Sequence, residues 1–203
     1  MVGCTMKYRT IVADPPWNQK GGPARGREGW LDSNGPSRDL PYPTMSVEEI
    51  AALPVRDLRE EVGCHLYLWA TNRYLRDAFD VALAWGFRPS TILVWAKAPM
   101  GGGLGGAFGI STEFIIFARA GRLGHTGRVT GTWFQWKRPY RSDGKPDHSA
   151  KPGAFYDVVE SVSPGPYLEL FARRQRLGWD TWGNEALEHV ALDAPLVREG
   201  AGR

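Results

Sequence analysis

Short apolar runs recur along this chain at 8–13, 65–71, 90–97, 111–120, 167–172 and 179–183, each about the length of a buried strand. Between several of them lie stretches with helical periodicity, at 44–62, 72–87 and 153–162. Strands that alternate with helices in this way build a parallel sheet covered by helices, which sets the class as α/β. At 203 residues the chain suits one domain with a sizeable core and is short for two. We read residues 1–190 as that domain and 191–203 as a flexible tail, because nothing apolar anchors the final "REGAGR".

The helical stretches carry start and stop signals. Ser46 with Glu49 three positions on makes a capping box. In "NRYLRDAFDVALAWGF", Asn72 is placed as the cap, Leu75, Phe79, Ala82 and Trp85 share one face, and Gly86 ends the helix. Two long stretches, 18–43 and 121–150, have no apolar periodicity and read as loops of functional length. No internal repeat is visible.

Charge alone excludes little: 25 basic against 22 acidic residues leave +3. Six of the 25 bases are lysine and the rest arginine, whose planar fork suits phosphates and base edges. A GC-rich coding bias would produce the same preference. No apolar run approaches the roughly 18 residues of a membrane span, and no leader pattern precedes the first strand. Cys4 and Cys64 supply neither a disulfide framework nor a cysteine-rich zinc site, and His65, His125, His148 and His189 lack an HExxH spacing. The expectation is a cytoplasmic protein with no metal centre.

Gly101, Gly103 and Gly106 match the spacing of a dinucleotide fingerprint after a strand, but "STEFIIFARA" follows as another strand. Without a helix N-terminus there is no anion site for a pyrophosphate, so a linker between strands is the better reading.

The stretch "ADPPW" at 13–17 carries more chemistry. In open α/β sheets, ligands sit beyond the carboxyl ends of strands, and Asp14 occupies such an end. Pro15 and Pro16 fix φ and offer carbonyls without competing N–H donors. Trp17 offers a flat face on which a base can stack. An exocyclic amine is a poor nucleophile because its lone pair is delocalised into the ring. With the Asp14 carboxylate accepting one N–H and the Pro15 carbonyl the other, the nitrogen is drawn toward sp³ and regains that pair. This is stabilisation aimed at developing charge, joined to positioning. A strand-ending turn with a capping Asp and a core Trp would use the same four residues, so the tetrapeptide alone does not name a function.

Taken with "LPYPTMS", "HLYLWATNR", "WGFRPSTILVWAK", "STEFIIFARAG", "HSAKPGAFYDVVESVSPGPYLELFARR" and "GWDTWGNE", it resembles the adenine N6-methyltransferase family typified by the catalytic subunit of the mRNA (adenosine-N6) methyltransferase. That family has bacterial and phage DNA-modifying members, and the likeness runs from about Tyr8 to Glu185. It implies a Rossmann-like methyltransferase sheet in permuted order, with helices on both faces and the catalytic strand first. S-adenosyl-L-methionine (AdoMet) is the implied methyl donor, and a bacterial or phage-infected cell the implied setting. Asp14 to Trp17 become the catalytic segment, with Asp14 also beside the donor. Lys151 of "HSAKP" matches the lysine that holds the donor carboxylate, a charge-assisted bond. Glu169 lies in an apolar strand, where an acid is costly unless paired, and either faces the donor ribose or holds Lys151. Arg173, Asn184 and Glu185 match positions around the ribose and methionine tail, although an amide is common where Glu185 stands. Gln175 lies where "RRQRLG" departs from the pattern. Tyr42 lines the implied adenine pocket or anchors its loop, and Glu113 is a candidate on the same rim. An acidic residue that reads the donor adenine in longer members has no counterpart before Tyr8, which implies modest donor affinity.

From Arg119 to Lys145 seven bases, among them Arg138 and Arg141, face a single acid, Asp143, with Trp133, Phe134, Trp136 and Tyr140 interleaved. That mixture fits phosphate tracking and base stacking, and it also fits a solvated loop with aromatics turned inward. Lys20, Arg25, Arg27, Trp30 and Arg38 are placed to close from the other side. The partner is nucleic acid, with DNA ahead of RNA; a duplex would have to release its target base. Cytosine N4 methylation needs the same two acceptors. The rival from another class is a non-catalytic subunit of a heterodimer, against which retention of Asp14, Trp17, Lys151 and Asn184 argues. The chain is expected as a monomer or as a dimer with itself or a relative.

Overall fold

The apolar runs pair into one seven-stranded sheet in the computed structural model, which describes residues 6–18, 44–97, 108–140, 144, 147 and 150–183. In chain order the elements are β1 (Thr10–Ala13), α1 (Val47–Ala51), β2 (Gly63–Ala70), α2 (Leu75–Ala84), β3 (Arg88–Ala96), β4 (Thr112–Gly121), β5 (Trp133–Phe134), α3 (Gly153–Val162), β6 (Tyr167–Leu170) and β7 (Trp179–Trp182). The sheet order is β5-β3-β4-β2-β1-β6-β7. The sheet is mixed where a parallel one was expected. β3 and β4 follow one another with no helix among the described residues between them, and β4 runs antiparallel to both β2 and β3. All other pairings are parallel.

Side chains alternate across the sheet as strand geometry requires. Ile11, Ala13, Leu66, Leu68 and Leu168 join Ile50, Ala78, Val81 and Trp85 in a core beneath α1 and α2. Val12, Tyr67, Trp69, Ile115 and Phe117 form the opposite core with Phe155 and Val159 of α3. Helices therefore cover both faces. The chain leaves β1 toward α1 on one face and enters β6 from α3 on the other. The carboxyl ends of β1 and β6, in register at Ala13 and Leu170, thus make a topological switch point.

Local signals hold in part. The Ser46 box forms as expected, with Glu49 N–H donating to Ser46 Oγ at 3.1 Å and Ser46 N–H to Glu49 Oε2 at 2.7 Å. The helix expected over 44–62 is shorter: α1 ends at Ala51 and a 3₁₀ turn, Val55–Leu58, follows Pro54, which has no N–H to continue an α-helix. Asn72 is not a cap but opens a 3₁₀ turn, Asn72–Tyr74, ahead of α2. Gly86 does end α2, at φ 76°, with Phe87 N–H on Ala82 O and Gly86 N–H on Leu83 O, the two bonds of a Schellman motif. The buried stripe of α2 is Ala78, Val81 and Ala82; Leu75 and Phe79 pack at its margin. β5 falls inside a stretch expected to be loop. The glycine triad at 101–106 and the tail at 191–203 lie outside the described residues, and β4 is a strand as expected.

Candidate active site

Asp14 leaves β1 at the switch point, and the three residues after it are fixed from several directions. Trp17 N–H donates to Pro15 O at 2.8 Å, and Met45 N–H to Pro16 O at 3.0 Å. The Trp17 indole donates to Trp69 O at 3.0 Å and stacks on Tyr74 with centroids 5.2 Å apart. Tyr74 in turn donates its hydroxyl to Asn18 O. Trp17 is 4% exposed, so the structure places the ring in the core, where the sequence had suggested an open stacking face. The Pro15 carbonyl, already bonded to Trp17, keeps a second lone pair for a substrate N–H.

Around Asp14 the structure assembles a chain of alternating charges. Lys151 Nζ lies 2.8 Å from Asp14 Oδ2 and 3.1 Å from Glu113 Oε2, and Glu113 pairs in turn with Lys97. The Lys151 side chain is only 10% exposed, and its ammonium sits 4.8 Å above the Trp69 ring. The antiparallel course of β4 makes this possible. It brings the start of β4, with Glu113, to the carboxyl end of β2 and β3, where Lys97 follows Ala96.

One ammonium between two carboxylates drives their titrations apart. Burial raises Glu113, but Lys151 and Lys97 outweigh it and hold that acid down to about 2. Burial raises Asp14 too; Lys151 opposes this, Glu113 adds to it, and Asp14 stays above its ordinary value. Burial lowers Lys151, yet Asp14 and Glu113 more than compensate, so it remains charged.

On the β6 side, Glu169 faces α3 and accepts the Tyr156 hydroxyl at 2.6 Å, while Arg176 lies over the Tyr156 ring. Burial pushes Glu169 up to about 7 against that hydrogen bond, and the nearby Asp14 charge adds to the rise. Of the two partners expected for Glu169, Lys151 is instead engaged by Asp14 and Glu113. Phe171, just beyond β6, adopts φ 62°, uncommon for a bulky residue and a form of strain that clusters at functional sites. Arg173 follows, close enough for its charge to favour ionised Asp14. Arg138 is half-buried in the segment after β5. Tyr42, Arg141, Asn184 and Glu185 lie outside the described residues.

Sequence reasoning missed Lys97 and Tyr156 and held Glu113 only as a rim candidate. The available signal was positional: "WAK" ends a strand and "STE" begins the next, so both charges stand at strand ends.

Among the described residues, a sheet with a single reversed strand and a winding switch beside a strand-ending Asp-Pro-Pro-Trp turn is the arrangement of a Rossmann-like methyltransferase in permuted order. Comparisons with known proteins make the class particular. The MT-A70 family model matches residues 8–105. The chain is 30% identical over 190 residues to the type II methyltransferase M.MunI of Mycoplasma sp, covering 88% of this chain and 78% of that one. It is 30% identical over 201 residues to the N6-methyladenosine RNA methyltransferase MTA1 of Cryphonectria parasitica, covering 89% of this chain and 52% of that one. With the N(6)-adenine-specific methyltransferase METTL4 of Mus musculus the identity is 24% over 214 residues, covering 98% of this chain and 42% of that one. The chain belongs to the MT-A70 family.

Proposed function

We propose that this adenine N6-methyltransferase acts on DNA, with Asp14 as the group that engages the target amine. The observation that carries the catalytic assignment is the Asp14 carboxylate, a quarter exposed, at the switch point on a turn fixed by backbone and indole hydrogen bonds. In support of DNA is the overall build, because the chain accounts for most of the length of the type II methyltransferase and only about half of the longer RNA methyltransferase. At the same 30% identity the chain spans 78% of the type II methyltransferase but 52% of the RNA methyltransferase. We read the type II designation as pointing to a DNA substrate.

The charges at the carboxyl ends of β1 and β6 suit AdoMet. Lys151 and Arg173 are cations for its carboxylate; Asp14 and Glu169 are acids for its ammonium and ribose hydroxyls. When bound, this donor supplies a methyl group on a sulfonium. The chain's own residues do the rest. Asp14 accepts one N–H of the adenine amine and Pro15 O the other, returning the nitrogen lone pair and orienting it. Lys151, Glu113 and Lys97 keep Asp14 from swinging, and Trp17 anchors the turn. A preorganised acceptor of this kind lowers the barrier by about 3–4 kcal/mol.

Transfer of labelled methyl from AdoMet to matched DNA and RNA oligonucleotides, followed by nucleoside analysis, tests the reading. N6-methyladenine in DNA is expected, with at least about a hundredfold loss in Asp14→Asn. Label confined to RNA would replace the substrate assignment, and wild-type transfer by Asp14→Asn would remove the mechanism.

A further inference from the structure

We propose that the exposed rings of Trp133 and Tyr140 are stacking platforms for unpaired bases flanking the target, so that the substrate is held as an opened single strand. This rests on the nucleic-acid methyltransferase reading above and narrows its substrate.

The aromatics of the segment after β4 divide into two sets. Phe134 and Trp136 stack on each other at 4.4 Å and 11°, Trp136 meets Phe155 of α3, and its carbonyl accepts Trp95 Nε1 at 2.9 Å. They serve the core. Trp133 is 59% exposed and Tyr140 53%. A strand residue next to Phe134 must face the other side of the sheet, which turns the Trp133 ring away from α3.

Charge identifies the occupant. Between Trp133 and Tyr140 stand Lys137 and Arg138, with no acidic residue. A second copy placing this same face against itself would meet like charge, whereas a phosphate chain meets its complement. Basic residues around exposed rings are the recurring plan for single-strand binding, since every base offers a π-face.

Topology sets the path. β5 runs parallel to β3, with Trp133 beside Val94, so the chain leaves β5 toward the end where Lys97 and Asp14 lie. Residues 135–140 then cross toward β6. Pro139 O accepts Asp147 N–H at 2.9 Å, and Asp147 pairs with Arg174 beyond β6. Trp133 and Tyr140 therefore stand at opposite ends of a basic strap that crosses the catalytic end of the sheet. Four strand spacings, about 19 Å, separate β5 from β1. At about 3.4 Å per stacked nucleotide that is some five or six nucleotides, so the Trp133 platform takes a base well outside the target position.

Fluorescence anisotropy with a labelled single-stranded oligonucleotide, and with the same sequence as a closed hairpin duplex, tests the proposal. Wild type should bind the single strand more tightly. Trp133→Ala and Tyr140→Ala should each weaken single-strand binding at least about fivefold, with Trp133→Phe restoring most of it and AdoMet titrations unchanged. Unchanged single-strand affinity in both variants, or equal losses on strand and duplex, would overturn the platforms. So would a dimer that Trp133→Ala dissociates with oligonucleotide affinity intact. If wild type transfers methyl while the variants bind normally, only this inference fails; if wild type transfers methyl to no nucleic acid, the function itself fails.

Discussion

Lys151 divides its charge between Asp14 and Glu113, and that division fixes how activity should follow pH. In the proposed mechanism Asp14 works as a carboxylate, so kcat/KM falls as pH drops through its pKa, which burial has raised. Lys151→Met removes the main opposition to that burial and should move the acidic limb to higher pH; Glu113→Gln removes a negative neighbour and should move it lower. Single-turnover rates across pH 5–9 (a span of about four units around the usual catalytic range) read both shifts, and coincident limbs in all three proteins would deny the coupling. Glu169 makes a separate prediction, in stability. Its folded pKa of about 7 exceeds the ordinary 4.5, so between those values the folded state binds more protons than the unfolded state. The stability it contributes is therefore full below 4.5 and is lost as pH rises to about 7. Urea unfolding of Glu169→Gln should show a flatter pH dependence across that window. AdoMet affinity should instead rise through the window in wild type, because ribose hydroxyls donate best to an ionised acid.

Strand ends, more than strand interiors, decide whether the site forms. Gly183 follows β7 against the end of β6, where an added Cβ would stand 2.4 Å from Ala172 O and 2.5 Å from Ala172 N. Both obstacles are backbone, and Ala172 N–H is already committed to Trp182 O at 2.9 Å. Gly183→Ala must therefore part the two strand ends, at a cost of about 1–3 kcal/mol, or a Tm loss of roughly 2–12 °C. AdoMet affinity should drop further than this stability loss explains. Gly131→Ala, with open space around its Cβ, is the matched control and should be silent in calorimetry and melting. The same distinction marks what could be read from the sequence. Interiors were legible: the runs that became β1, β2, β3, β4, β6 and β7 announce themselves by apolar content, and Ser46 and Gly86 by cap chemistry. β5 was not, because two residues carry no period; it exists through its register with Val94 and Trp95 and the Val94 N–H bond to Thr132 O. In the candidate site, Asp14 and Lys151, which the fold brings together, were singled out through their motifs. The Glu113 link was not, since it depends on β4 reversing direction.

In the proposed substrate complex the basic strap from Trp133 to Tyr140 and the catalytic end of the sheet act on one polymer, and salt can separate their contributions. Each phosphate left without its protein cation should flatten the dependence of log K on log salt by about 0.9 for duplex and about 0.7 for a single strand. Arg138→Ala with Arg141→Ala removes two such charges. The slope should therefore become shallower by about 1.8 on duplex or about 1.4 on single strand, with donor affinity unaltered. Stacking releases no counterions. Trp133→Ala should accordingly lower affinity by the same factor at every salt concentration and leave the slope where it was. Titrations of both variants at several salt concentrations thus give two independent signatures, an altered slope and a displaced line. A slope unchanged by the double arginine substitution would mean that these two arginines do not neutralise phosphates, even if both rings still stack.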